Sequence, residues 1–336
     1  MGTGFPITEK SRTTIVFQET GSSSNGFRLS ASGIRMQTFE TLSTYSTRDF
    51  SPAELCSVYD KRLGVSIFNS LDFEHSRIVA MGFDLKDKVA IVTGSSSGMG
   101  FETTKLLLEL GATVYGFDID KAPDLFVANP KFKSHQGDIA QPGTPKAIVD
   151  GAVAAFGRID ILCNVAGISD TFNGLDTLEE QAWHRQLGVN LTGPTWLCKA
   201  VVDVFRKQGG GGAIVNVSSK AGTSGAICGV AYTAAKHGLV GVTKNIAWRY
   251  HEEGIRCNAI CPGGYVSGIK SKMDFSKLDH EAMKVYGKVQ ELHLKGALDV
   301  TAPPDRPARL MAFLVSDWAI DINGAIIPID NAWSTI

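Results

Sequence analysis

Residues 89–100 read VAIVTGSSSGMG. Four apolar residues, Val89 to Val92, run without alternation, as in a strand buried on both faces. Three serines and three glycines follow at once, and then FETTKLLLELG over 101–111, apolar at helical spacing and closed by Gly111. Strand, glycine turn, helix is a geometry that turns backbone N–H groups toward a phosphate. The helix N-terminus adds partial positive charge there. Gly94, Ser97, Gly98, Met99 and Gly100 are the residues that would meet it. The same stretch also reads as an ordinary surface turn, because glycine patterns recur by chance.

The 336 residues are 43% hydrophobic with 36 glycines and a formal net charge of −1. That suffices for one large α/β domain with a full core. Interspersed charge gives no reason to expect nucleic acid or an acidic membrane as partner. Apolar runs stay far below a membrane-spanning length, so a soluble, cytoplasmic protein is expected. Six scattered cysteines read as reduced core residues, and no metal site is expected. Cys257 and Cys261 lack the second pair or histidine cluster of a zinc site, and fit a core strand better.

The first 82 residues differ in character. Seventeen of the first fifty are Ser or Thr, with no sustained apolar period, so this extension is expected to be largely disordered. Ser51-Pro52 before AELCSVYDKRLG is a start signal for one short helix. Arginines among hydroxyl residues suggest a transit peptide; Glu9, Glu19, Glu40 and Asp49 oppose it.

From Lys86 onward, strands are expected at 88–93, 113–117, 132–135, 160–164, 213–218, 256–260 and 325–329. Helices are expected at 98–110, 142–156, 179–207, 231–252, 273–292 and 305–316. The alternation implies a seven-stranded parallel sheet covered on both faces, with ligands beyond the carboxyl ends of the strands. Asp118 stands 18 residues past Gly100, where a dinucleotide site needs a carboxylate for the adenosine ribose. An acid there repels a 2′-phosphate, and neither Ser97 nor Ile119 is a cation that would welcome one, so NAD is expected over NADP. Asp138-Ile139 places a second acid near an adenine edge, and Asn164-Val165-Ala166-Gly167 would let a cofactor approach the backbone.

IVNVSS ends at Ser219, and thirteen residues later comes Tyr232-Thr233-Ala234-Ala235-Lys236. Tyr232 and Lys236 share one helix face. An ammonium beside a phenol favours the phenolate and is expected to lower its pKa toward working pH. Such a phenol exchanges a proton with a carbonyl or alcohol oxygen, which Ser219 can hold in place.

Taken together, TGSSSGMG, Asp118, Asp138, NVAG (164–167), VNLTG (189–193), IVNVSS (214–219), YTAAK (232–236) and NAICPGGYVS (258–267) resemble the short-chain dehydrogenase/reductase family in its roughly 250-residue form, over about 82–336. The resemblance implies a single doubly wound (Rossmann) domain and a tetrad of Asn190, Ser219, Tyr232 and Lys236. Tyr232 would be the acid/base, Ser219 would orient the substrate, and Lys236 would hold the nicotinamide ribose and tune Tyr232. Asn190 would support a proton-relaying water. Pro262, Gly263, Val266 and Ser267 would lie along the nicotinamide. Departures are Val165 and Met99 at positions of usual asparagine and isoleucine, and Asp330-Asn331-Ala332 where the family has aspartate-glycine-glycine.

The activity expected is hydride transfer between NAD(H) and a secondary alcohol or ketone of a mid-sized apolar molecule. Pocket walls are expected over 168–186, 220–231 and a lid at 264–302. The competing reading is a catalytically silent protein that kept the fold. Helices 179–207 and 231–252 are expected to build a homodimer or homotetramer, as in similar proteins.

Overall fold

A computed structural model describes residues 58–60, 65–67, 83–269, 273–294 and 302–335. The chain divides into two units, Met1–Phe73 and Glu74–Ile336. Described residues of the first form an antiparallel pair, β1 (Val58–Asp60) and β2 (Val65–Ile67). The helix expected from Ser51-Pro52 is therefore replaced by strand at its centre, where Val58 and Tyr59 favour extended backbone. The disorder expected over 1–82 otherwise falls outside the described residues.

The second unit is built on seven parallel strands in the order β5-β4-β3-β6-β7-β8-β9. These are β3 (Val89–Thr93), β4 (Thr113–Asp118), β5 (Phe132–Gln136), β6 (Ile161–Asn164), β7 (Gly212–Val217), β8 (Ile255–Pro262) and β9 (Ile326–Ile329). All seven fall where the apolar runs place them, in a doubly wound Rossmann sheet. Strand order reverses between β3 and β6, so a crevice opens beyond their carboxyl ends.

Both faces of the sheet are covered. Ala90 and Val92 of β3 point into one core with Leu107 of α1 (Gly98–Glu109) and Met311 of α8 (Asp305–Val315). Ile91, between them, points into the other, with Ile148 of α3 (Thr144–Phe156) and Leu197 and Phe205 of α5 (Gly193–Gln208). This period-two split of an unbroken apolar strand is what burial on both faces requires. Cys257 and Cys261 are fully buried in β8, as expected. Between β4 and β5 the chain forms only the one-turn α2 (Asp124–Val127).

Two helices differ from expectation. The run 179–207 is broken into α4 (Glu180–Leu187), a π-helical turn (Gly188–Thr192) and α5. The wide turn is centred on Asn190, and Pro194 follows it near the start of α5. The run 273–292 starts late, as α7 (His280–Leu294), because the Asp274 side chain accepts from Ser276 N–H and first closes a 3₁₀ turn, Phe275–Lys277. Helix α6 (Val230–Arg249) is continuous. No helix among the described residues is long and apolar enough to cross a membrane.

Candidate active site

The glycine turn is shaped by contacts that side chains would destroy. Gly94 has φ +70°, and a Cβ on Gly100 would lie 2.0 Å from the Gly94 carbonyl oxygen. On its outer side, Gly98 and Ser97 pack against Ser267 and Gly268, so the loop after β8 reaches the turn that follows β3. Pro262 closes β8, and Gly263 lies against Asp330 with no room for a side chain. Val266 is half exposed beside them.

Asp118 ends β4 and is 8% exposed. Its Oδ2 accepts from Ser96 N–H at 2.8 Å and its Oδ1 from Asp120 N–H at 2.9 Å. A carboxylate offers about four acceptor positions, so two stay open for a pair of hydroxyls. Asp118 lines a cavity of about 420 Å³ together with Asp138, Ile139, Ala166 and Gly167. Within it the Asp138 carboxylate accepts from Arg185 Nη1 at 2.6 Å, a partner that sequence reasoning missed. Asn164 is placed differently from its neighbours. Its side chain donates to Asn216 Oδ1 at 2.8 Å in a buried network with Thr243, so only its backbone is available to the crevice.

Asn190, fully buried in the π turn, donates to the Ile168 carbonyl and to Gln186 Oε1, and accepts from Ile168 N–H. Gln186 stands one helical turn earlier and was not anticipated, although its i, i+4 spacing to Asn190 is visible in the sequence. The pair fixes the strand-to-loop segment after β6 beside the crevice.

Ser219 follows β7 and accepts from Ala221 N–H at 3.1 Å, which leaves its own proton to donate. Tyr232 and Lys236 lie one turn apart on α6, both buried, with Lys236 Nζ 5.5 Å from the phenol ring centre. Nζ donates to the Val217 carbonyl at 3.0 Å.

The ionisation differs from expectation. Burial, more than any neighbour, pushes the Tyr232 phenol upward, with Cys228 and Asp170 adding to it and Ser219 opposing. Burial likewise lowers Lys236 to about 8, opposed by Cys261 and Cys228. Desolvation is the largest cause of both shifts. Around the phenol stand Ala221, Ile227 and Trp333, with Cys228, Tyr286 and Val289 packed on them. Of the expected walls, Ile168 lines the cavity and Phe172 packs on Tyr286 at 5.0 Å, whereas Phe275 is 61% exposed. Residues 270–272 and 295–301 of the expected lid lie outside the described residues.

A doubly wound sheet with a glycine turn, an acid at the end of its second strand and a serine beside a buried Tyr–Lys pair defines a nucleotide-linked oxidoreductase. Family comparison agrees: residues 88–277 match the short chain dehydrogenase model. The short-chain dehydrogenase/reductase cdmF of Talaromyces verruculosus is 48% identical over 254 residues, 75% of this chain and 99% of that protein. Asnovolin H dehydrogenase nvfC of Aspergillus novofumigatus is 46% identical over 256 residues, again 75% and 99%. Among solved structures, levodione reductase superposes with a TM-score of 0.65 at 28% identity, covering 74% of this chain and 98% of that one. The chain belongs to the short-chain dehydrogenase/reductase family. Members bind NAD(P) and act on small molecules as dehydrogenases or reductases.

Proposed function

We propose that the protein is an NAD-dependent dehydrogenase/reductase that interconverts a secondary alcohol and a ketone on a mid-sized apolar molecule. The observation that carries this reading is the seating of one buried phenol among Ala221, Ile227, Trp333 and Tyr286. A largely apolar surround fits a hydrocarbon skeleton bearing one carbonyl better than a sugar phosphate. Similarity points the same way, since one relative is named an asnovolin H dehydrogenase and a solved one a levodione reductase.

The crevice fits a dinucleotide. The close glycines leave room for a pyrophosphate, the two open acceptor positions of Asp118 suit vicinal ribose hydroxyls, and Ala166 and Gly167 admit a ring against the backbone. A dinucleotide held by these residues would supply the hydride chemistry of its nicotinamide. In the reductive direction Tyr232 O–H gives its proton to the carbonyl oxygen as that oxygen gains negative charge. Ser219, its oxygen occupied by Ala221 N–H, donates its proton to the same substrate oxygen and fixes its place. Lys236, buried beside Tyr232, would hold ribose hydroxyls and stabilise the phenolate that remains. Asn190 keeps the segment after β6 in place for both. Met99, Pro262, Gly263, Val266 and Ser267 would border the nicotinamide half.

Direct titration with NADH and NADPH, followed by turnover on alicyclic, polycyclic and aromatic ketones, tests the reading. It requires tighter NADH binding and oxidation of NADH by apolar ketones. Preference for NADPH would overturn the role of Asp118, and silence across the panel would favour the non-catalytic reading.

A further inference from the structure

Asp170 has no place in the chemistry above, yet its surroundings set it apart. It lies three residues past Gly167 in the loop after β6, is 7% exposed, and lines the cavity. Its Oδ1 accepts from Phe172 N–H at 3.1 Å and Gly229 N–H at 3.2 Å, and its Oδ2 accepts from Tyr232 N–H at 3.3 Å. Those last two donors open α6, so the carboxylate occupies the start of a 20-residue helix from a distant loop. A Cβ on Gly229 would come within 2.6 Å of Oδ2, so glycine is needed for this approach. The other end of the clamp holds Phe172 at φ +65°, a left-handed backbone that an aromatic residue rarely adopts. A second tie runs alongside, from Val230 N–H to the Asn173 carbonyl at 3.0 Å.

Among the described residues no cation pairs with Asp170. Arg185 and Lys277 line the same cavity but pair with Asp138 and Glu179. The titratable groups that face the carboxylate are the Cys228 thiol and the Tyr232 phenol, both disfavoured in their anionic forms by its charge. From α4 the neighbouring contact is neutral, Gln186 Nε2 to the Ser169 carbonyl.

We propose that Asp170 is a positioning residue of the proton-transfer centre: its carboxylate locks the loop after β6 onto the first turn of α6 and sets a negative charge beside Tyr232. The loop it locks carries Phe172, so substrate wall and acid/base are set by one side chain. A phenol kept protonated is poised to give a proton to a carbonyl. This inference rests on the reading of Tyr232 as acid/base.

The test is the titration of Tyr232 itself, followed by carbon NMR of protein labelled at the tyrosine ring carbon that bears oxygen. Its resonance is assigned by its loss in Tyr232→Phe. In Asp170→Asn, and in the smaller Asp170→Ser should the amide disturb folding, the Tyr232 transition should move down by about one pH unit. The alkaline rise of alcohol oxidation should move with it. A folded variant of either kind in which Tyr232 titrates no lower than in wild type overturns the proposal and leaves Asp170 a purely structural clamp. Should the alkaline rise persist in Tyr232→Phe, the acid/base reading fails instead, while the resonance still decides the influence of Asp170.

Discussion

Single residues carry the coenzyme and proton assignments. Asp118 has two acceptor positions left after Ser96 and Asp120, and its neighbour Ile119 is half exposed. Replacing Asp118 by Ala together with Ile119→Arg removes the hydroxyl acceptor and supplies a cation. The NADH preference should then erode or reverse, read as the ratio of dissociation constants by fluorescence titration. Lys236 makes a different prediction. Its folded pKa of about 8 lies below the ordinary lysine value, so the unfolded chain holds a proton that the folded one releases between about 8 and 10.5. Stability should therefore rise with pH across that window, and below it the buried ammonium is a fixed penalty. Lys236→Met removes the penalty along with one hydrogen bond to Val217. It should raise the melting temperature at pH 7 by a few degrees, about 1–2 kcal/mol, while turnover collapses. A lower melting temperature would show that the hydrogen bond outweighs the desolvation.

The elements were legible to different depths. The seven strands could be read because burial on both faces writes uninterrupted apolar runs such as Val89–Val92. The glycine turn and the Tyr232–Lys236 spacing were legible because both are local. Three features were not. The π turn at Asn190 depends on α4 and α5 packing under the loop after β6. Asp170 is recognised by backbone N–H groups, of Phe172 nearby and of Gly229 and Tyr232 about sixty residues away, and backbone donors leave no mark in side-chain identity. The ionisation of Tyr232 and Lys236 follows from burial, which a helical spacing does not report. The turn after β9 adds a case of its own. Asn331 and Ala332 stand at φ +56° and +68°, where the family's glycines would be unstrained. Trp333, which follows directly, packs by Tyr232. Ala332→Gly should relieve the strain of a left-handed alanine, worth ~1 kcal/mol before the added freedom of the unfolded chain is set against it. The expected result is an unchanged or slightly higher melting temperature by calorimetry. A clear loss would mean that alanine's methyl group packs usefully there.

At the scale of the whole molecule, two expectations follow from where apolar surface lies. Trp196 on α5 is 55% exposed and Trp248 on α6 is 78% exposed, a heavy load of indole for helices facing only water. We expect these helices to pair with those of another copy, so that the protein sediments as a dimer or tetramer at micromolar concentration. Trp248→Glu should shift it toward monomer. Residues 1–82 show no sustained apolar period with which to dock on a core. A chain beginning at Met81 should therefore fold and turn over much as the full chain does, checked by melting temperature and specific activity. The account as a whole stands on Tyr232 as the group that exchanges the substrate proton. Its most direct test is turnover of Tyr232→Phe beside its NADH dissociation constant. The account requires turnover to fall at least ~10²–10⁴-fold, the usual contribution of general acid/base participation, with NADH binding within a few-fold of wild type. Ordinary turnover in that variant would place the proton chemistry elsewhere and contradict the account.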